Sequence, residues 1–300
     1  KGMHRLGHWP LDAFQSVIPP MPPDNRPAFI DKQVVHENMC EVSPFVWEGK
    51  IHLLECVRPA TGGDPKEYYL VIRDTETSKE VARFGEGHSL ACALMFENAL
   101  YVFASRYKPN NSWNDVTLFY SPDLKEWQKT VVIKQEEKEH IFNSSVSRGD
   151  DGFVMAYETD DPAYPAFTVK FASSKDLVTW TKTPDAIFGK DRYTACPCIR
   201  FVDGTYYLLY LERRSPRWFF ETYLARSQDL ISWELSRFNP ILTPQGDSES
   251  INASDPDVVE FQGRTHLYYS VGDQLTWMNT MKCVYPGSLR EFFQVYFPDR

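Results

Sequence analysis

The 300 residues carry 32 Lys plus Arg against 41 Asp plus Glu, a formal net charge of −9. An acidic chain without a basic run does not suit nucleic acid or an anionic membrane surface, and no apolar stretch reaches the length of a membrane span. Aromatic content of 15%, with 16 Tyr, 20 Phe and 8 Trp, together with 21 Pro, indicates strands and turns rather than a helical bundle.

Residues 1–37 are rich in proline (Pro10, Pro19, Pro20, Pro22, Pro23 and Pro27) with Trp9, Phe14 and Phe29 interspersed. They read as an N-terminal arm packed on the body, the aromatic residues favouring contact over free solution. Residues 38–300 form the body, a single domain. From residue 38 a hairpin pattern recurs: a short apolar strand, a turn with Gly or Asn, then a strand dense in Tyr, Leu and Phe. The turns are Glu48-Gly49, Glu97-Asn98, Asp150-Asp151-Gly152, Asp203-Gly204 and Gln262-Gly263, spaced by 49, 54, 52 and 59 residues.

A second pattern follows the middle three hairpins. Ser-x-Asp-Leu-x-x-Trp occurs at Ser121–Trp127, Ser174–Trp180 and Ser227–Trp233, each copy 53 residues after the last (121 to 174, 174 to 227). Ser and Asp favour a tight turn, while Leu and Trp supply an apolar anchor between units. Degenerate equivalents occur near Arg73-Asp74-Thr75-Glu76 and Pro286-Gly287-Ser288-Leu289. Five units of about 50 residues, each with room for four strands, predict an all-β, five-bladed β-propeller. The six cysteines lack the spacing of a disulfide framework or a zinc site and read as buried thiols.

In a propeller the first strand of each blade lines a central channel. Counting back eight from the turn residue gives Glu41, Leu90, Ser144, Cys196 and Asp255, with Asp257 on the same strand face as Asp255. Counting forward eight gives Arg106, Asp160 and Glu212. The predicted catalytic residues are Asp255, Glu41 and Glu212, since glycoside hydrolysis pairs an ionised carboxylate with a protonated one. His88, Asn143, Arg58, Asp257 and Arg106 are predicted to bind substrate, and Trp277 to stack on a sugar ring. Each has a structural alternative: a strand-initiating turn for Asp255-Pro256-Asp257, a solvated edge for Glu41, an ion pair with Arg213 or Arg214 for Glu212, and a hydrogen-bonded core histidine for His88. No cofactor is required, and the funnel carboxylates leave room for a structural cation in the channel.

Ser254-Asp255-Pro256-Asp257-Val258-Val259-Glu260-Phe261-Gln262-Gly263 resembles the first inner hairpin of family 43 glycoside hydrolases. The Ser-x-Asp-Leu-x-x-Trp phrases are similar to outer-strand turns of that family and of its five-bladed relatives in families 32, 68, 117 and 130. The resemblance covers residues 38–298 and implies that Asp255 is a general base, that the substrate is an oligosaccharide or polysaccharide, and that the protein is bacterial and periplasmic or secreted, with a cytoplasmic location as the alternative. Two departures stand out. The Asp-Pro hairpin of family 43 is the first, whereas here it is the fifth, and Thr194-Ala195-Cys196-Pro197 resembles the Glu-Cys-Pro motif of family 32 with Ala195 at the acid position. The acid then comes from elsewhere (Glu212, Glu158 or a histidine), or Ala195 is an engineered inactivation, or catalysis has been lost. The expected function is an exo-acting glycosidase; a non-catalytic carbohydrate-binding propeller and a protein-interaction propeller are the alternatives.

Overall fold

The computed structural model describes residues 27–59, 62–109, 112–136, 138–214 and 218–298. Most of the Pro-rich leader lies outside the described residues. Three sheets are antiparallel meanders in chain order: β2–β5 (Val42–Trp47, Lys50–Val57, Tyr69–Asp74, Glu80–Phe84), β6–β9 (His88–Phe96, Ala99–Lys108, Ser112–Ser121, Gln128–Ile133) and β10–β13 (Ile141–Gly149, Gly152–Thr159, Thr168–Ser174, Trp180–Phe188). A fourth meander, β14–β17 (Thr194–Val202, Thr205–Arg213, Phe220–Ser227, Glu234–Leu235), is joined to β18–β20 (Asn252–Phe261, Arg264–Gly272, Met278–Tyr285) by a short parallel contact between β16 and β18. β1 (Ile30–Glu37) completes the last sheet by pairing antiparallel with β20, from Ile30 opposite Val284 to Glu37 opposite Asn279. Residues 30–37, which composition placed in the arm, are thus a strand of the body. Their partner is about 240 residues away in sequence, so no local pattern announced the pairing.

The first strands touch in a closed cycle, β2 to β6 to β10 to β14 to β18 and back to β2. These sheets fit a β-propeller. Where first strands approach, serines serve the facing backbone: Ser43 Oγ accepts from Ala93 N–H, Ser145 Oγ from Ile199 N–H and Ser147 Oγ from Phe201 N–H, each at 3.0 Å. Backbone groups buried at a strand edge need such partners.

Four of the five inner hairpins have φ > 0 at both central residues (Glu48-Gly49, Glu97-Asn98, Asp203-Gly204, Gln262-Gly263), as a type I′ turn requires. In the third, Asp150 and Asp151 lie between the paired Gly149 and Gly152 and lack that conformation. Its second turn residue is therefore Asp151, one position earlier than the sequence count assumed.

The three repeated phrases link third to fourth strands and share one geometry. Asp123, Asp176 and Asp229 each accept two backbone N–H groups through Oδ1, from Lys125 and Glu126, Val178 and Thr179, and Ile231 and Ser232. The following Leu124, Leu177 and Leu230 are buried at φ of 59°, 67° and 65°. Each Trp packs on the preceding sheet: Trp127 stacks on Phe84 at 3.6 Å, Trp180 meets Phe103 edge-on, and Trp233 packs on Phe171 and Phe188. The regular period is thus an inter-sheet joint. After β20 the helix α1 (Leu289–Tyr296), capped by Ser288 and Glu291, stands where a fourth strand would follow. It buries Phe292, Phe293 and Tyr296, with Phe293 stacked on Tyr207 at 4.1 Å.

Candidate active site

Four of the first strands carry a bulge near their start, at Leu90-Ala91, Phe142-Asn143, Cys196-Pro197 and Asp255-Pro256. Glu41, just before β2, has the corresponding place in the first sheet. Pro197 and Pro256 fit here because a bulged residue need not donate to the ladder. Glu41, Leu90, Cys196 and Asp255 adopt φ of 58°, 54°, 48° and 52°. Left-handed backbone at non-glycine residues stores strain of about 1 kcal/mol or more each, and such strain gathers at functional sites. In the third sheet the equivalent residue is Asn143, which replaces Ser144 from the sequence count because of the shifted turn. Ser144 instead bonds to Phe103 O and the Cys92 thiol.

Three of these positions converge. Donor atoms of Glu41, Cys196 and Asp255 lie within 4.8 Å of one another. Arg58, just past β3, places Nη2 2.7 Å from Glu41 Oε2. Burial alone would lower the guanidinium's affinity for its proton, but the Glu41 charge and the adjacent Cys40 and Cys56 overcome this and hold it raised. Ser270 on β19 lies beside both acids: its Oγ accepts from Glu41 N–H at 3.2 Å, and its hydroxyl is among the groups that draw the Asp255 carboxyl down. Burial, and then the Glu41 charge, push the Asp255 carboxyl up to about 6, against the pull of Cys196, Ser270 and Arg58. Glu158 on β11 completes the group. Its Oε2 accepts from Cys196 N–H at 2.9 Å and from Asn143 Nδ2 at 3.1 Å. Burial first, with the charges of Glu41 and Asp255 adding to it, raises Glu158 to about 7 although both hydrogen bonds oppose the shift. Two carboxyls are thus poised to hold or release a proton near neutrality, beside a third paired with a guanidinium.

The other predicted residues lie elsewhere. Glu212, on β15, is 1% exposed and bound by Arg214, Arg192 and the Tyr210 hydroxyl. It is one residue out of phase with the inward-facing set Cys56, Ser105, Glu158, Leu211 and Ser270, which lies seven rather than eight residues beyond the second turn residue. Asp160 pairs with His140 at 2.7 Å. Asp257 accepts from Ser43 Oγ at 2.6 Å and from the Cys198 thiol, and is paired with Arg200, tying the first, fourth and fifth sheets together. His88 is buried with both ring nitrogens engaged, by Glu86 O and Thr117 Oγ1, each at 2.9 Å. Arg106 is exposed on β7. Trp277 sits in the β19–β20 turn, donating its backbone N–H to Asp273 and packing against the core around α1. Ala195 is 1% exposed and packs with Leu211 and Phe220, so the adjacent Cys196 is the residue that reaches the carboxyl cluster. Cys40, beside Arg58, and Ser270 were not anticipated; only a forward count of seven would have singled out Ser270.

Glu41, Cys196 and Asp255 are the described residues whose donor atoms could share a cation. Arg58 supplies positive charge 2.7 Å from Glu41, and burial, with Asp255 and Glu158 adding to it, raises the Cys196 thiol well above its ordinary range. A separate cavity of about 300 Å³ lies nearer the hairpin turns, lined by residues that include Phe45, Met95, Arg200, Val259 and Leu289. Arg200, which lines this cavity, is the partner of Asp257.

No family model matches the sequence, and no curated protein does. Solved structures do. A protein described as a glycoside hydrolase superposes with a TM-score of 0.70 at 14% identity, covering 87% of this chain and 92% of its own. A thermostable family-43 glycoside hydrolase gives 0.58 at 12% identity over 82% and 89%. A family-43 endo-arabinanase from Bacillus licheniformis gives 0.58 at 9% identity over 82% and 94%. The chain has the fold of the family-43 glycoside hydrolases. In this family-43-like frame the carboxyl cluster sits where the first strands of the sheets converge.

Proposed function

We propose that the chain is a five-bladed β-propeller glycoside hydrolase that removes a sugar from the end of a polysaccharide-derived oligosaccharide. One observation carries this reading: three carboxyls, Glu41, Asp255 and Glu158, gathered around Arg58 and Ser270 at the ring of bulges. Hydrolysis of a glycosidic bond needs one carboxyl ionised and another protonated in the same site. Asp255 is the general base that takes a proton from the attacking water, and Arg58 keeps the Glu41 charge in place beside it. Direct displacement by water needs no organic cofactor. Glu41, Arg58, Cys196 and Asp255 are all only partly exposed, which suits a chain end better than a chain running past an open groove.

Mass spectrometry of oligosaccharide mixtures incubated with the parent and with Asp255→Asn tests the reading. Cleavage by the parent that disappears in the variant supports it; cleavage by both moves the base to Glu41; silence from the parent on every mixture overturns it. A carbohydrate-binding module without catalysis is the second reading, favoured by Ala195 at the acid-like position, and it expects binding without cleavage in either form.

A further inference from the structure

We infer that Glu158 is the proton donor of this site, supplied by the second strand of the third sheet in place of the acid that the Thr194-Ala195-Cys196-Pro197 segment lacks. The inference rests on the glycosidase reading above. Its first support is placement. Ala195 is packed among Leu211 and Phe220 and carries no acid, yet a carboxyl reaches this segment from the neighbouring sheet, because Glu158 Oε2 accepts the backbone N–H of Cys196 at 2.9 Å. A carboxyl carried by the neighbouring sheet thus stands against the backbone of this segment.

The second support is what Glu158 lacks. Burying a carboxylate is costly unless a cation accompanies it. Glu55 is paired with Arg73 and His36, Glu139 with Lys170, Glu212 with Arg214, and Glu249 with Lys32. Glu158 is equally buried, 4% exposed, and among the described residues forms no ion pair. Its neighbours in charge, Glu41 and Asp255, are both acidic. Such an environment favours the neutral acid.

The third support is orientation. Oε2 accepts two N–H groups, from Cys196 and Asn143, which marks it as the carbonyl oxygen of the acid and leaves the proton on Oε1. In the reaction Oε1–H transfers its proton to the glycosidic oxygen as the bond from the anomeric carbon to that oxygen breaks, the electron pair staying with the oxygen. Water adds to the anomeric carbon and gives its proton to Asp255. Solvent then returns a proton from Asp255 to Glu158, so the net change is one water added across the bond.

Glu158→Gln keeps the acceptor for Asn143 and Cys196 and removes only the transferable proton. The test compares 2,4-dinitrophenyl glycosides of arabinofuranose, xylose and galactose, whose leaving group departs without protonation, with oligosaccharides of the same sugars. General acid catalysis contributes about 10²- to 10⁴-fold, so kcat/KM on the oligosaccharide should fall by that order. On the dinitrophenyl glycoside it should stay within about tenfold of the parent, and the alkaline limb of its pH profile should vanish. Glu158→Asp, which shortens the reach but keeps the proton, should be intermediate, and matching circular dichroism spectra check that both variants fold. Equal losses on both substrate types, or an unchanged rate on the oligosaccharide, would overturn the role of Glu158 and leave the glycosidase reading standing. A parent silent on every substrate would overturn both.

Discussion

Replacing Arg58 by Gln removes the guanidinium that holds the carboxyl cluster together. Taking one partner from a fully buried ion pair costs about 3–5 kcal/mol. The Arg58 and Glu41 side chains are 21% and 16% exposed, so solvent screens part of that, and a loss of about 2–3 kcal/mol is expected at pH 8. The loss should depend on pH. Burial and the Glu41 charge already hold Asp255 up at about 6, and Arg58 pulls it down. Without Arg58 the Asp255 carboxyl rises further, so the native variant takes up a proton more readily than the parent and the deficit shrinks as pH falls through that range. Urea unfolding followed by tryptophan fluorescence at pH 5 and pH 8 measures both. A deficit of the same size at both values, or one below about 0.5 kcal/mol at pH 8, the level of an ordinary surface substitution, would refute the electrostatic account of the site.

Other outcomes follow from the same geometry. With Asp255 at about 6 and Glu158 at about 7, a base that must be ionised and an acid that must be protonated give a bell-shaped kcat/KM. It should fall below pH 6 as Asp255 protonates and above pH 7 as Glu158 loses its proton, and a flat profile from pH 5 to 9 would contradict it. A carboxyl raised in the folded state stabilises the fold least above its folded value, so Glu158→Gln should be more stable than the parent at pH 8, by about 1–3 kcal/mol, and no more stable at pH 4. Thermal melts at the two pH values check this, and a lower melting temperature at pH 8 would refute it. Asp176→Ala removes the acceptor for Val178 and Thr179 N–H at 2.9 and 2.7 Å. It should cost about 1 kcal/mol and lower the melting temperature by about 2 °C without changing kcat, since the turn is remote from the carboxyl cluster.

What the sequence determined by itself was everything that repeats. The Ser-x-Asp-Leu-x-x-Trp phrases report their own turns because Asp and Ser bond to backbone within three residues. The Gly- and Asn-bearing hairpins report theirs because φ > 0 is required at both central positions in four of five. Counting from those turns reached Glu41, Cys196 and Asp255, which the structure brings together. Tertiary structure decided the rest, for a physical reason. Side chains alternate across a strand with period two, so an error of one residue sends a side chain to the opposite face. The third hairpin turns one residue early, which moved the inward position from Ser144 to Asn143. A forward count of eight instead of seven selected Glu212, held by Arg214 on the other face, and passed over Ser270; a count of seven reaches Glu158 only from the turn at Asp151. The pairing of β1 with β20 and the contact of Glu158 with the Cys196 backbone join residues far apart in the chain. No local preference encodes either; closing the ring of sheets brings both about.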